Sequence, residues 1–196
     1  MDALILAGGE NTRMAVPKAA MIINGVRIID RNIELLKNIF GRVYVSTNTP
    51  ERYFYTGAIL IGDVLHEKGP MTGIYSVLRV PGVSAVFVTA CDMPFINVIL
   101  MKFLIGRWKE DMDALIPVYR NKPEPLFGIY SRNIAGLMEN GIKSGKRSLQ
   151  DFLGKISVVY VDEEEVRQRD PEGKSFVNIN TLEDYQRETG GKACLG

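Results

Sequence analysis

The chain has 196 residues, of which 46% are hydrophobic and 24% charged, and a formal net charge of +1. That length closes a substantial core without disulfide or metal staples, most simply as a single unit over 1–189 with 190–196 a loose tail. A near-neutral charge argues against nucleic-acid partners, and no apolar run approaches the ~20 residues of a membrane helix, nor does a charged-then-apolar leader open the chain, so a cytoplasmic protein with small substrates is expected.

The apolar run Leu4-Ile5-Leu6-Ala7 reads as a first strand that stops at Gly8-Gly9. Small polar residues follow, and two cations, Arg13 and Lys18, lie within the same loop. Paired glycines let main-chain N–H groups approach an anion without a Cβ in the way, and the cations neutralise what is bound, so the stretch is a candidate phosphate cradle. On local chemistry alone it is equally an ordinary strand-to-helix turn with two solvated cations. Ala19 to Ile23 is a short extended segment ending in the turn Asn24-Gly25.

Residues 28–40 place Ile29, Ile33, Leu36 and Phe40 at helical spacing, with Arg31, Asn32, Glu34 and Lys37 on the other side and Gly41 as the stop. Val43 to Ser46 forms a second core strand, and strand–helix–strand implies a parallel sheet. Its polar exit, Thr47-Asn48-Thr49-Pro50, lies where open α/β sheets bind ligands. Residues 53–57 carry no clear pattern. Ala58 to Ile61 reads as a third strand delivering Gly62 and Asp63. An acid just past a strand end suits a base or ribose contact, although a turn-forming aspartate is the simpler reading.

Lys68-Gly69-Pro70-Met71-Thr72-Gly73-Ile74 sets two glycines at the start of a helix, where backbone N–H groups are available to a ligand. Ser84 to Ala90 is a continuous apolar run of the kind found in a central parallel strand covered on both faces. It leads into Cys91-Asp92-Met93-Pro94-Phe95. Asp92 thus falls at the carboxyl end of a central strand, on the rim that holds the cradle, and a hard carboxylate beside phosphates suits Mg²⁺. Cys91 and Cys194 are far apart and His66 is the sole histidine, so neither a disulfide framework nor a thiolate or multi-histidine metal site is supported.

A helix follows over 96–107, then strands at 113–118 and 126–130 around the turn Asn121 to Pro125, a pair suited to an antiparallel excursion. A helix is expected from Asn133 to Glu139. Gly141 to Ser148 imitates a P-loop, but only three residues separate Gly141 from Gly145 and no strand leads in, so a basic helix start is the better description. Ser157 to Val161 is a further strand, and Asp162 to Asp170 a solvated charge run. Asn178 and Asn180 share one side of an extended segment. Thr181, three residues before Asp184, opens a helix with a capping-box pattern.

Together, Leu6-Ala-Gly-Gly-Glu-Asn-Thr-Arg13-Met14 with Lys18, Gly69-Pro-Met-Thr-Gly73-Ile74, Cys91-Asp92-Met-Pro94-Phe95, Glu124-Pro-Leu-Phe-Gly-Ile-Tyr130 and Phe176-Val-Asn178-Ile-Asn180-Thr181 resemble the molybdenum cofactor guanylyltransferase family, in the right order over nearly the whole chain. The resemblance implies an α/β fold of Rossmann-like nucleotidyltransferase type, with a mostly parallel sheet, helices on both faces and a small antiparallel excursion. It implies Mg²⁺-dependent transfer of GMP from GTP to molybdopterin. Leu6, Ala7, Gly8 and Gly9 would line the nucleotide with Gly69 and Gly73, Lys18 and Arg13 would hold its phosphates, Asp63 would contact GTP and Asp92 would hold Mg²⁺.

By the same resemblance, Asn178 and Asn180 would lie toward the pterin, and molybdoenzyme chaperones or other cofactor-synthesis proteins are the implied partners. Ser46 falls where the family can carry asparagine. Ala15 replaces a family glycine and Pro17 precedes Lys18, as in sugar-phosphate nucleotidyltransferases. Position 15 must then sit at negative φ or carry strain. Transfer from CTP, transfer to a sugar-1-phosphate, and a non-catalytic GTP-binding accessory protein remain alternative readings.

Overall fold

The computed structural model describes residues 1–8, 21–23, 25–146, 148–179 and 181–189. Gly9, Arg13, Ala15, Pro17, Lys18, Asn180 and the 190–196 segment lie outside the described residues.

In chain order the elements are β1 (Asp2–Leu6), β2 (Ile22–Ile23), β3 (Val26–Arg27), α1 (Ile28–Lys37), β4 (Val43–Ser46), β5 (Ile59–Ile61), α2 (Pro70–Leu78), β6 (Ala85–Ala90) and α3 (Val98–Arg107). Then come β7 (Ala114–Tyr119), β8 (Lys122–Pro123), β9 (Gly128–Ser131), α4 (Ala135–Lys143), α5 (Leu149–Leu153), β10 (Val158–Val161), α6 (Glu163–Arg167) and α7 (Leu182–Thr189). The main sheet runs β10-β7-β9-β6-β1-β4-β5, with β8 paired to β7. β5, β4, β1 and β6 are mutually parallel, and β10 is parallel to β7. The expected antiparallel pair is present, but β9 does not leave the sheet. It sits between β6 and β7, antiparallel to both. β6 is therefore a central strand with one parallel and one antiparallel neighbour.

The apolar runs follow from burial on both faces. Ala3 and Ile5 of β1 point into one core with Ile29, Ile33 and Leu36 of α1 and Leu100 and Leu104 of α3. Leu4 and Leu6 point into the other, against Met71, Ile74 and Leu78 of α2 and Met138 and Ile142 of α4. Side chains alternate along a strand, so a strand covered on both sides must be apolar at every position. On the α1 face an aromatic chain crosses the sheet, Phe40 stacking on Phe87 at 5.7 Å and Phe87 meeting Phe127 edge-on at 5.1 Å.

Several local expectations are refined. α1 ends at Lys37, ahead of Phe40 and Gly41, because Leu36 O accepts from both Ile39 N and Phe40 N and tightens the last turn. Asn32, assigned to the polar side of α1, is 1% exposed. It lies one helical turn from Ile28 and from Leu36, both buried, so the buried stripe is wide enough to include it. The turn expected at Asn121 to Pro125 is formed instead by Arg120 and Asn121, both at positive φ, the two-residue pattern that matches strand twist. A 3₁₀ turn over Arg132–Ile134 precedes α4, which runs on to Lys143.

The P-loop imitation resolves as a helix end. Gly145 has φ +77°, Lys146 N donates to Gly141 O, and Gly145 N to Ile142 O, a left-handed glycine cap after α4. Ser148 Oγ then accepts from Asp151 N to start α5. The capping box of α7 is reciprocal: Thr181 N donates to Asp184 Oδ2 and Asp184 N to Thr181 Oγ1, each at 3.0 Å.

Gly128 is where the inserted strand leaves no space. A Cβ there would lie 2.5 Å from Ile116 Cδ1 and 2.9 Å from Leu115 O. G128A should therefore lower unfolding free energy by about 1–3 kcal/mol in chemical denaturation, since part of the clash is with backbone. An unchanged denaturation midpoint would contradict the tight β9–β7 approach.

Candidate active site

A cleft of about 720 Å³ opens at the carboxyl ends of β1, β4, β5 and β6. Its floor is Leu6, Ala7 and Gly8 after β1, flanked by Ser46 to Thr49 after β4 and by Ala90, Cys91 and Asp92 after β6. Asp63, Lys68, Gly69 and Pro70 form one wall, and Arg52, Tyr53 and Leu126 complete the lining. Ladder bonds run on into the floor: Ala7 N donates to Ser46 O at 2.9 Å, Cys91 N to Leu6 O at 3.0 Å, and Thr47 N to Ile61 O at 2.9 Å. Gly8 is exposed, and among the described residues nothing lies within 4 Å of a Cβ built on it.

Of the residues singled out from sequence, the structure brings Leu6, Ala7, Gly8, Ser46, Asp63, Gly69 and Asp92 to this cleft. Gly73 stands behind it. A Cβ on Gly73 would lie 2.6 Å from Leu6 Cδ2 and 2.7 Å from Ser46 Oγ, so its role is to let α2 rest directly on the floor strands. Gly69 has φ +148°, a conformation L side chains rarely adopt, and caps α2 just before Pro70. Ser46 is buried with its hydroxyl turned toward α2.

Asp92 is half-buried, and its loop is held from two directions. Ile179 N donates to Asp92 O at 2.9 Å, and Asn32 Nδ2 donates to Met93 O at 3.0 Å from beneath. Asn178, one residue before Ile179, sits beside the Asp92 loop without lining the cleft; its amide points back to Phe176 O. Asp63 is paired with Asn48, whose Nδ2 donates to Asp63 Oδ2 at 2.7 Å. The loop beyond Asp63 is stapled to α2, with Val64 N donating to Ser76 Oγ and Thr72 Oγ1 donating to Glu67 O.

Sequence reasoning missed Asn48, Thr49, Arg52, Tyr53, Lys68 and Leu126 as lining residues. The signal for the first two was present, a polar run at a strand's carboxyl end, but nothing in it marked which side chain faces the cleft. Arg52 and Tyr53 fall in 3₁₀ turns, Pro50–Arg52 and the boundary before Phe54–Thr56, which have no sequence period to read. Burial pushes the Tyr53 phenol well above its ordinary range, which keeps it a neutral hydroxyl.

Set against known proteins, the chain matches the family described as MobA-like NTP transferase domain over residues 3–159. It is 32% identical over 191 residues to the molybdenum cofactor guanylyltransferase of Desulfosudis oleivorans, covering 95% of each chain. The chain belongs to the molybdenum cofactor guanylyltransferase family. The enzyme of that name from Syntrophotalea carbinolica is 31% identical over 187 residues, 95% of this chain and 89% of that one. The crystal structure of molybdopterin-guanine dinucleotide biosynthesis protein A from Archaeoglobus fulgidus superposes with a TM-score of 0.84 at 29% identity, covering 97% of both chains. The protein is thus a nucleotidyltransferase with the nucleotidyltransferase fold, and its cleft stands where the ligands of such sheets bind. Among the described residues no helix is long and apolar enough to cross a membrane.

Glu124, two residues before Leu126, offers a pH readout of this rim. Burial pushes its carboxyl up from the ordinary range to about 7, against the opposing pull of Lys122. The folded state then holds a proton that the unfolded chain has released, so stability from this group is complete below the ordinary carboxylate pKa and is lost as pH rises through about 7. Thermal midpoints should fall between pH 5 and pH 8 by an amount that E124Q reduces. Parallel pH profiles for the two proteins would contradict the burial of this carboxyl.

Proposed function

We propose that the protein transfers GMP from GTP to the terminal phosphate of molybdopterin, yielding molybdopterin guanine dinucleotide and pyrophosphate, with Mg²⁺ as cofactor. The observation that carries this reading is the convergence of Gly8, Asp63 and Asp92, from three separate strand ends, on one cleft large enough for a nucleotide. An oxygen of the acceptor phosphate forms the new bond to the α-phosphorus of GTP, and the bond from that phosphorus to the bridging oxygen breaks as pyrophosphate departs. The acceptor is already anionic, so no strong general base is required. What the site must supply is relief of the charge brought together.

In this reading the exposed Gly8, with Gly9, Arg13 and Lys18, binds the triphosphate, and Asp63 contacts the nucleoside. Asp92 would hold Mg²⁺. Magnesium is commonly bound by one or two carboxylates together with substrate phosphates, and a half-buried hard carboxylate on the floor of an anion cleft fits that donor set. When bound, the ion supplies charge neutralisation along the phosphates. Asn32 and Ile179 keep the Asp92 loop in place from two sides, so that little reorganisation is needed when nucleotide enters.

Asn178 would face the pterin from beyond the Asp92 loop, and Asn180, which lies outside the described residues, would serve the same substrate. Molybdoenzyme chaperones or other cofactor-synthesis proteins would deliver and receive the cofactor, and residues 1–189 would act as one catalytic unit in the cytoplasm.

Pyrophosphate release with molybdopterin should be supported by GTP and Mg²⁺ and not by CTP, and sugar-1-phosphates should not replace molybdopterin. Asp92→Ala and Lys18→Ala should each lower the rate by ~10² to 10³, the scale of a lost electrostatic stabiliser. Preference for CTP, or full activity in either folded variant, would overturn the assignment. GTP binding without pyrophosphate from any acceptor would favour a non-catalytic binding protein.

A further inference from the structure

β4 and β5 are parallel neighbours with Ser46 opposite Ile61, and the ladder runs one step further through Thr47 N to Ile61 O. Beyond that point a side chain takes over from the backbone. Asn48 Nδ2 donates to Asp63 Oδ2 at 2.7 Å, while Asp63 N donates to Asn48 Oδ1 at 3.0 Å. One planar amide thus grips both the main chain and the carboxylate of residue 63. A Cβ at Gly62 would stand 3.6 Å from Asn48 Oδ1, an ordinary contact distance, so the pair does not depend on a glycine there. The Thr47–Thr49 turn, in which Thr49 N donates to Thr47 Oγ1 at 3.1 Å, fixes the segment that carries Asn48. Both Asn48 and Asp63 line the cleft.

Among the described residues, Asn48 is the only side chain bonded to the Asp63 carboxylate. Oδ1 and the second lone pair of Oδ2 are left to accept hydrogen bonds from a ligand. That pair of acceptors, held in one orientation, suits a flat edge with two adjacent N–H donors. Guanine has such an edge, N1–H beside the 2-amino group. Adenine and cytosine set their single exocyclic donor beside a ring acceptor, and hypoxanthine keeps N1–H but lacks the 2-amino group. A carboxylate free to rotate would accept one donor from any of these bases. A clamped one rewards the base that fills both positions.

We infer that Asn48 is a positioning residue that orients Asp63 and thereby sets selectivity for guanine over other bases. This rests on GTP being the donor substrate. Nothing in it requires Asn48 to touch the base, since its role is carried by the two bonds to Asp63. The simpler alternative, that the pair only stiffens the loop, makes a different prediction: loosening it would weaken all nucleotides alike.

The test is steady-state pyrophosphate release with molybdopterin, comparing GTP, ITP and ATP for the wild type, N48A and N48D. N48D removes the amide donor and sets a second carboxylate against Asp63. In both variants the ratio of kcat/KM for GTP over ITP should fall about tenfold, with the loss for GTP carried by KM, on the scale of one well-placed hydrogen bond to a charged group. A partly unfolded preparation lowers the GTP and ITP rates together and leaves the ratio intact, so the readout does not depend on perfect folding. A ratio unchanged in both variants, or equal losses for all three nucleotides, overturns the role of Asn48 while leaving the GTP reading standing. A wild-type protein that releases no pyrophosphate from GTP overturns both.

Discussion

Strand β1 has neither an open face nor an open edge. All of Asp2–Leu6 is buried, β4 and β6 are hydrogen-bonded along its two sides, and α1 and α2 cover its two faces. With both edges paired in parallel, its neighbours must end on the same side of the sheet as it does. Residues 7 and 8 therefore emerge beside 46 and 47 on one flank and 90 and 91 on the other. The cross-strand bonds from Ala7 to Ser46 and from Cys91 to Leu6 carry that register beyond the strands, into the floor of the cleft. The site is the place where a fully paired ladder runs out, at the exposed Gly8.

Around this floor, polar side chains do what the ladder no longer can. Asn32, buried in α1, donates upward to the carbonyl after Asp92, and Asn48 joins the ends of β4 and β5. Each spends its amide on a loop that bears a carboxylate. A buried asparagine whose oxygen has no partner among the described residues is costly in a helix otherwise packed with isoleucine and leucine, and the bond to Met93 is the visible compensation. Rigid loops at a site that must gather several negative charges reduce the reorganisation required when substrate binds.

The sheet and its helices were largely legible because their signals are periodic. Alternation was replaced by continuous apolar runs where strands are covered on both faces, and α1 kept its helical stripe. The Gly69 and Gly73 positions were legible too, as a helix start, although only the structure separates their tasks: one adopts a conformation restricted to glycine, the other lets a helix lie on Leu6 and Ser46. What sequence could not supply was long-range and aperiodic. The insertion of β9 between β6 and β7 depends on pairing partners tens of residues apart. The burial of Asn32 depends on the width of a face, and Asn48 looks like any loop asparagine until Asp63 is placed beside it. At Gly141 to Ser148, where a left-handed helix cap imitates a phosphate loop, the three-residue spacing of the glycines was enough to refuse that reading, and a helix does start at Leu149.

In the proposed complex a guanine nucleotide lies in this cleft, its base edge on Asp63 and its phosphates joined through a divalent ion to Asp92. A crystal structure with a non-hydrolysable GTP analogue and Mn²⁺ in place of Mg²⁺ tests it most directly. An anomalous manganese peak is expected at about 2.2 Å from an Asp92 oxygen, with N1 and N2 of guanine facing the Asp63 carboxylate. A nucleotide bound elsewhere, or one in this cleft whose metal is held without Asp92, would contradict it.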